Sequence, residues 1–342
     1  MKTKTKDRGP FRGPAGDPLK ITVHSSKSVK PASSSGGTYN LISLTVFDEL
    51  NHDDYVPSIF AFHPPTPPIA ALEAGLAKML AEYRRWAGRL ITVDDTDSDV
   101  MPLEPAPEVL CLHPCCDGAD QLMLVQVTMF VCGSFTVGYT MHHSVAVGYA
   151  TCTTLLLSWG QAVHGVPFDT IPVHDRASMF VPRDPPLVEF DHRGVRGLDL
   201  HEVTRLHIAV NGRYRMHNNP PLPMGYTGNA VLWARPATVA VAVAGIDDRY
   251  FRSFVDFTSS GAAEREGLVR TAVSSELVAG TDVEVDSVLG IPFYDLDFDT
   301  GKPFLFMPTY STPHPVRAPR SLWTCPPVTV AWSRTCHSTA AP

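Results

Sequence analysis

The string "MHHSVAVG" at 141–148 sets two adjacent imidazoles, His142 and His143, at the end of an apolar, β-rich run and ahead of small residues and Gly148. Histidine titrates near neutrality, so an imidazole held in such a place can accept a proton during a reaction and return it afterwards. A base of this kind calls for an orienting partner, and at the position where one is first sought the chain carries Val147. The runs "QLMLVQVTMF" and "FTVGYTM", joined by "VCGS", predict a hairpin whose second arm delivers both histidines to its end. From Gly148 onward "YATCTTLLLSWGQAVHG" reads as a helix stopped by Gly165. The histidines thus fall at a strand-to-loop-to-helix junction, a rigid support for presenting a side chain to a cleft. A histidine at a strand end can equally bond a backbone carbonyl and do no chemistry, and spacing by itself leaves both readings open.

Other groupings carry less. "CLHPCCD" at 111–117 mixes thiols with an imidazole, but no second Cys/His pair follows at finger-like spacing, and Pro114 marks a turn, so no metal is expected. The acidic "DDTDSD" at 94–99 lacks the glycine and glutamate of a calcium loop and reads as solvated. His174 and Asp175 stand side by side in a proline-rich stretch without a partnered nucleophile, and no G-x-S-x-G motif is present. The seven cysteines are an odd number in a chain with no apolar N-terminal signal segment, which argues for a reducing, cytoplasmic setting without disulfides. A net charge of −7 gives no electrostatic case for nucleic acid or anionic membrane, and no run of 18 apolar residues spans a bilayer. The expected partner is a small molecule.

At 342 residues the chain suits one large domain or two medium ones, because single cores stop growing at roughly 250 to 300 residues. Residues 1–20 read as a disordered basic extension, followed by a strand signal in "ITVHSSKSVKP". The stripe Leu72, Leu76, Met79, Leu80, Tyr83 and Trp86 predicts a long helix that stops near Gly88. The prolines of "FVPRDPPLVEF" suggest a crossover between two halves. The second half carries strand signals at "VTRLHIAV", "NAVLWARP", "ATVAVAVAG" and "VEVDSVLGIPFYDLDF", and a helix at "DDRYFRSFVDFTSSGAAEREGLV". Beyond Tyr310 the chain is an irregular, proline-rich tail.

"HHSVAVG" behind its hairpin resembles the His-x-x-x-Asp-Gly motif of the BAHD acyl-CoA-dependent acyltransferases of plants. "DFDTGKP" stands where that family has its late Asp-Phe-Gly-Trp-Gly loop, and "EYRRWAGRL", "HDRASMFVPRDPP", "VNGRYRM" and "GYTGNAVLWARP" resemble family segments in the family's order. Across most of residues 20–310 the chain is similar to the grass hydroxycinnamoyl transferases that acylate tryptamine, putrescine or agmatine, as "LKITVHSS", "YVPSIFAFH" and "FLFMPTY" suggest.

The resemblance implies an α/β, two-domain fold of the chloramphenicol-acetyltransferase type, with mixed β-sheets flanked by helices and the second domain incomplete. It divides the chain into an N-terminal domain at 21–185, a crossover at 186–204, a shortened C-terminal domain at 205–310 and the tail at 311–342. It implies a monomer with no permanently bound cofactor, taking hydroxycinnamoyl-CoA as co-substrate and an amine or hydroxyl as acceptor. His143 becomes the general base in a direct transfer without a covalent intermediate, and Gly148, Asp297, Phe298 and Gly301 become structural motif residues. Val147 stands where the family has aspartate, which there holds the loop by an ion pair; Asp299 and Thr300 replace Gly and Trp. Those departures, with the shortened chain, imply the second reading: a descendant that keeps the fold and CoA binding without turnover.

Overall fold

The computed structural model describes residues 21–32, 44–49, 55–89, 110–114, 121–143, 148–175, 178–192, 206–218, 221–234, 244–266, 283–285, 288 and 290–309. The leader, the acidic string at 94–99, Val147, residues 237–243 of "ATVAVAVAG" and the tail lie outside them. In chain order the described elements are α1 (Val46–Glu49), β1 (Tyr55–Phe62), α2 (Ile69–Glu82), β2 (Met123–Met129), β3 (Phe135–His142), α3 (Gly148–His164), β4 (Leu206–Asn211), β5 (Val231–Ala234), α4 (Asp248–Ser259), α5 (Ala262–Arg265), β6 (Val283–Val285) and β7 (Leu305–Pro308).

The hairpin expected from "VCGS" is present. β2 and β3 pair antiparallel from Met123↔Met141 to Met129↔Phe135, and Gly133 turns the chain at φ +84°. β1 pairs with the other edge of β3, from Tyr55↔His142 to Phe62↔Phe135, and β7 closes an antiparallel sheet of order β2-β3-β1-β7. Every residue of β3 is buried, including Thr136, Thr140 and His142, which alternate along the strand with Phe135, Val137, Tyr139 and Met141.

α2 and α3 cover this sheet. The expected stripe is buried at Leu72, Met79 and Leu80, but the α-helix ends at Glu82 and a 3₁₀ turn, Arg84–Ala87, carries the chain on to bury Trp86. Trp159 of α3 donates its indole N–H to the Leu72 carbonyl at 2.8 Å, which fastens the two helices together. α3 ends at His164 with Gly165 at φ +72°, as the glycine stop predicts.

A second, smaller sheet of order β5-β4-β6 is mixed: β5 runs antiparallel to β4, and β6 runs parallel to it from Leu206↔Val283. Two cores result. One joins Phe60, Leu72, Tyr139 and Trp159 to Phe293, Leu296 and Phe298; the other joins Phe47 to Val210, Tyr226, Phe251 and Val255. Neither core is contiguous in sequence, since chain from beyond residue 290 packs with the first and Phe47 with the second.

Two strand expectations are corrected. Residues 21–32 carry no strand, and among the described residues of "VEVDSVLGIPFYDLDF" only Val283–Val285 is extended in the sheet. Gly290 at φ +77° and Pro292 break that run, and Phe293–Asp295 form a 3₁₀ turn instead. Among the described residues no helix is long and apolar enough to cross a membrane, and no three potential metal ligands cluster.

Gly138 sits at the middle of β3, where the segment 110–114 lies across the sheet, held by Gln126 Nε2 to the Cys111 carbonyl (2.6 Å) and Thr140 Oγ1 to the Pro114 carbonyl (2.9 Å). A Cβ at Gly138 would collide with the Leu112 carbonyl oxygen and come within 2.7 Å of His113 Cα. Gly138→Ala is therefore expected to cost about 2 kcal/mol, read in thermal denaturation as a Tm lower by about 5 °C.

The proline-rich segment 180–190 is strapped to α4. Asp256 accepts from the backbone N–H of Arg183 (2.7 Å) and Leu187 (3.0 Å) and from Arg183 Nε (2.5 Å). Ser253 Oγ accepts from the N–H groups of Glu189 (2.8 Å) and Phe190 (3.3 Å), so its own proton goes to His192 Nε2 at 2.8 Å, which must be neutral to receive it. Burial among Phe190, Tyr250, Phe254 and Phe257 pushes the His192 pKa down to about 4. The unfolded imidazole binds a proton near pH 6.5 and the folded one resists it, so this contribution to stability is present above 6.5 and lost as pH falls toward 4. Urea denaturation at pH 7 and pH 4.5 is expected to show a loss of about 1–2 kcal/mol that His192→Gln no longer shows.

Candidate active site

The structure treats the two adjacent histidines differently. His142 is the last residue of β3 and is 3% exposed; its N–H donates to the Leu122 carbonyl at 3.0 Å and its ring meets Tyr55 edge-on at 4.7 Å. His143 stands one step beyond the sheet, half-buried, and its carbonyl accepts from Asn229 Nδ2 at 3.2 Å.

Asn229 is fully buried and is itself oriented by Asp48, whose Oδ1 accepts from the Asn229 side-chain amide at 2.9 Å and from its backbone N–H at 3.0 Å. The other oxygen, Oδ2, accepts from the Thr45 N–H (2.8 Å) and hydroxyl (2.7 Å), the reciprocal arrangement of a capping box at the start of α1. A chain of hydrogen bonds therefore runs from α1 through Asn229, just ahead of β5, to the backbone of His143. Reading the sequence for catalytic types passes over Asp48 and Asn229; the one local sign is Thr45-x-x-Asp48, which reads as a helix start.

Gly148 opens α3 at φ +56°, a left-handed conformation that favours glycine; Ser144–Val147 precede it outside the described residues. The late motif lies at the opposite end of the same helix. Asp297 Oδ1 accepts from the N–H groups of Thr300 (3.2 Å) and Gly301 (3.0 Å) and so closes a tight turn in which Asp299 takes φ +70° and Gly301 φ +102°. Phe298 is fully buried against Trp159, ring centroids 4.7 Å apart. His164 lies 3.5 Å from Asp297 and 3.4 Å from Asp299, so the turn clasps the last residue of α3. With 17 residues at 1.5 Å each, α3 separates this turn from its own N-terminal end by about 25 Å.

Between α3, the end of β4 and the segment 290–297 lies a cavity of about 540 Å³, lined by Thr151, Ser158, Gln161, Arg213, Tyr226 and Asp297 among others. His143 is not among its described lining residues. Arg213 is 7% exposed; its Nη2 donates to the carbonyls of Tyr226 and Gly228, both at 2.7 Å, while Nη1 is buried with no hydrogen-bond partner among the described residues. Burial lowers its pKa to about 10, against the opposing fields of Tyr226, Tyr214 and Asp48, so it stays cationic at neutral pH.

The remaining candidates resolve into structural contacts. Asp175 accepts from the Ser178 N–H and hydroxyl at 3.1 and 2.6 Å, and the His174 carbonyl takes Arg85 Nη2 at 2.5 Å. Cys152 is fully buried and its thiol is pushed up to about 12, which leaves it unreactive.

A family model described as the Transferase family matches residues 98–201. The chain is 41% identical over 408 aligned positions to agmatine hydroxycinnamoyltransferase 1 of Oryza sativa subsp. japonica, covering 85% of this chain and 90% of that protein. It is 40% identical over 401 positions to agmatine coumaroyltransferase-1 of Hordeum vulgare (85% and 91% covered), and 34% identical over 402 positions to putrescine hydroxycinnamoyltransferase 3 of Oryza sativa subsp. japonica (85% and 91% covered). These alignments are longer than the 342 residues of the whole chain, so the relatives contain segments that have no counterpart here. The fold matches the crystal structure of vinorine synthase with a TM-score of 0.55 at 16% identity, covering 84% of this chain and 88% of that one. Identity of this degree over most of both sequences, carried on the same fold, places the chain in the BAHD family of acyl-CoA-dependent acyltransferases.

Proposed function

We propose that the chain transfers a hydroxycinnamoyl group from its CoA thioester to a primary amine, with agmatine as the preferred acceptor and His143 as the general base. The observation that carries the acceptor is the order of identities: 41% and 40% to proteins named for agmatine, 34% and 33% to two named for putrescine, and 30% to one named for tryptamine.

In this reaction the acceptor nitrogen attacks the thioester carbon while the His143 imidazole takes the N–H proton. The tetrahedral oxyanion then collapses, the C–S bond breaks, and the proton passes to the departing CoA thiolate, leaving an amide. CoA enters and leaves as a substrate, and no acyl-enzyme forms. The hydrogen bonds from Asp48 through Asn229 support this role, because they fix the backbone that presents His143 without requiring a carboxylate at position 147. Gly148, Asp297, Phe298 and Gly301 serve as structural supports at the two ends of α3. The protein works as a monomer in the cytoplasm.

Val147 favours a second reading, a fold that binds CoA thioesters without turnover. Single-turnover assays with coumaroyl-CoA against agmatine, putrescine, tryptamine and shikimate, read by mass spectrometry of the product, separate the two. Amide formation fastest with agmatine is the expected result. Coumaroyl-CoA binding by calorimetry with no product from any acceptor would establish the second reading instead.

A further inference from the structure

We draw no further inference here: the strongest candidate, the group of carboxylates Asp169, Asp295 and Asp297 lining the cavity between α3, the end of β4 and the segment 290–297, carries nothing, because each is already engaged by Gln161, by Lys302 or by the turn at 297–301, and nothing among the described residues shows what would occupy the cavity.

Discussion

His143→Ala is expected to slow single-turnover amide formation by a factor of about 10² to 10⁴, the span that a positioned general base supplies. The loss should fall on kcat, with KM for coumaroyl-CoA little changed, because the imidazole acts on the proton of the attacking nitrogen and not on the thioester's binding groups. His142→Ala is the contrasting variant. That side chain is a buried member of β3 packed on Tyr55, so its removal should lower Tm while the folded fraction keeps most of its kcat. A His143→Ala protein that retains the wild-type rate, or a His142→Ala protein that loses activity while fully folded, would remove His143 from the mechanism.

Asp48→Ala should produce the largest loss of stability among single substitutions in the described residues of this region. The carboxylate is fully buried and accepts four hydrogen bonds, two from Thr45 and two from Asn229, and alanine strands every one of those donors without water to replace the acceptor. A cost of about 3–4 kcal/mol follows, read in chemical denaturation, with a Tm lower by about 8 °C. The same substitution frees the Asn229 amide that holds the His143 carbonyl, so kcat measured well below Tm should fall about tenfold with KM nearly unchanged. Asp48 is a positioning residue in this account, and Asp48→Asn, which keeps one acceptor oxygen, should restore part of both quantities. Wild-type kcat in folded Asp48→Ala would show that the chain of hydrogen bonds serves the fold alone.

Parts of the second motif were legible from conformational requirements alone. A glycine position in the turn at 297–301 implies positive φ, and Asp299 does adopt φ +70°, a region aspartate enters more readily than most residues. The use of that turn was not legible: nothing in "DFDTG" says that it closes on His164, at the far end of the helix that follows His143. Likewise "FLFMPTY" did not announce itself as a strand edge-paired to β1, because β7 is four residues long and its partner lies far back in the chain.

What the sequence by itself determined are the features whose cause is local. The hairpin of β2 and β3 follows from two β-rich runs around a turn glycine, and α3 with its Gly165 stop follows from apolar spacing and the need for a left-handed residue at a helix end. The order of the family-like segments along the chain likewise needed no coordinates. Only the tertiary structure decided that His142 is buried on β3 against Tyr55 while the His143 carbonyl meets Asn229, that Arg213 is buried on the carbonyls of Tyr226 and Gly228, and that Asp48 and Asn229, 181 positions apart, meet behind His143. The physical reason is that periodicity reports which face of an element is buried, whereas a buried hydrogen bond is specified by the geometry of two elements brought together from distant parts of the chain, and no local pattern encodes that meeting.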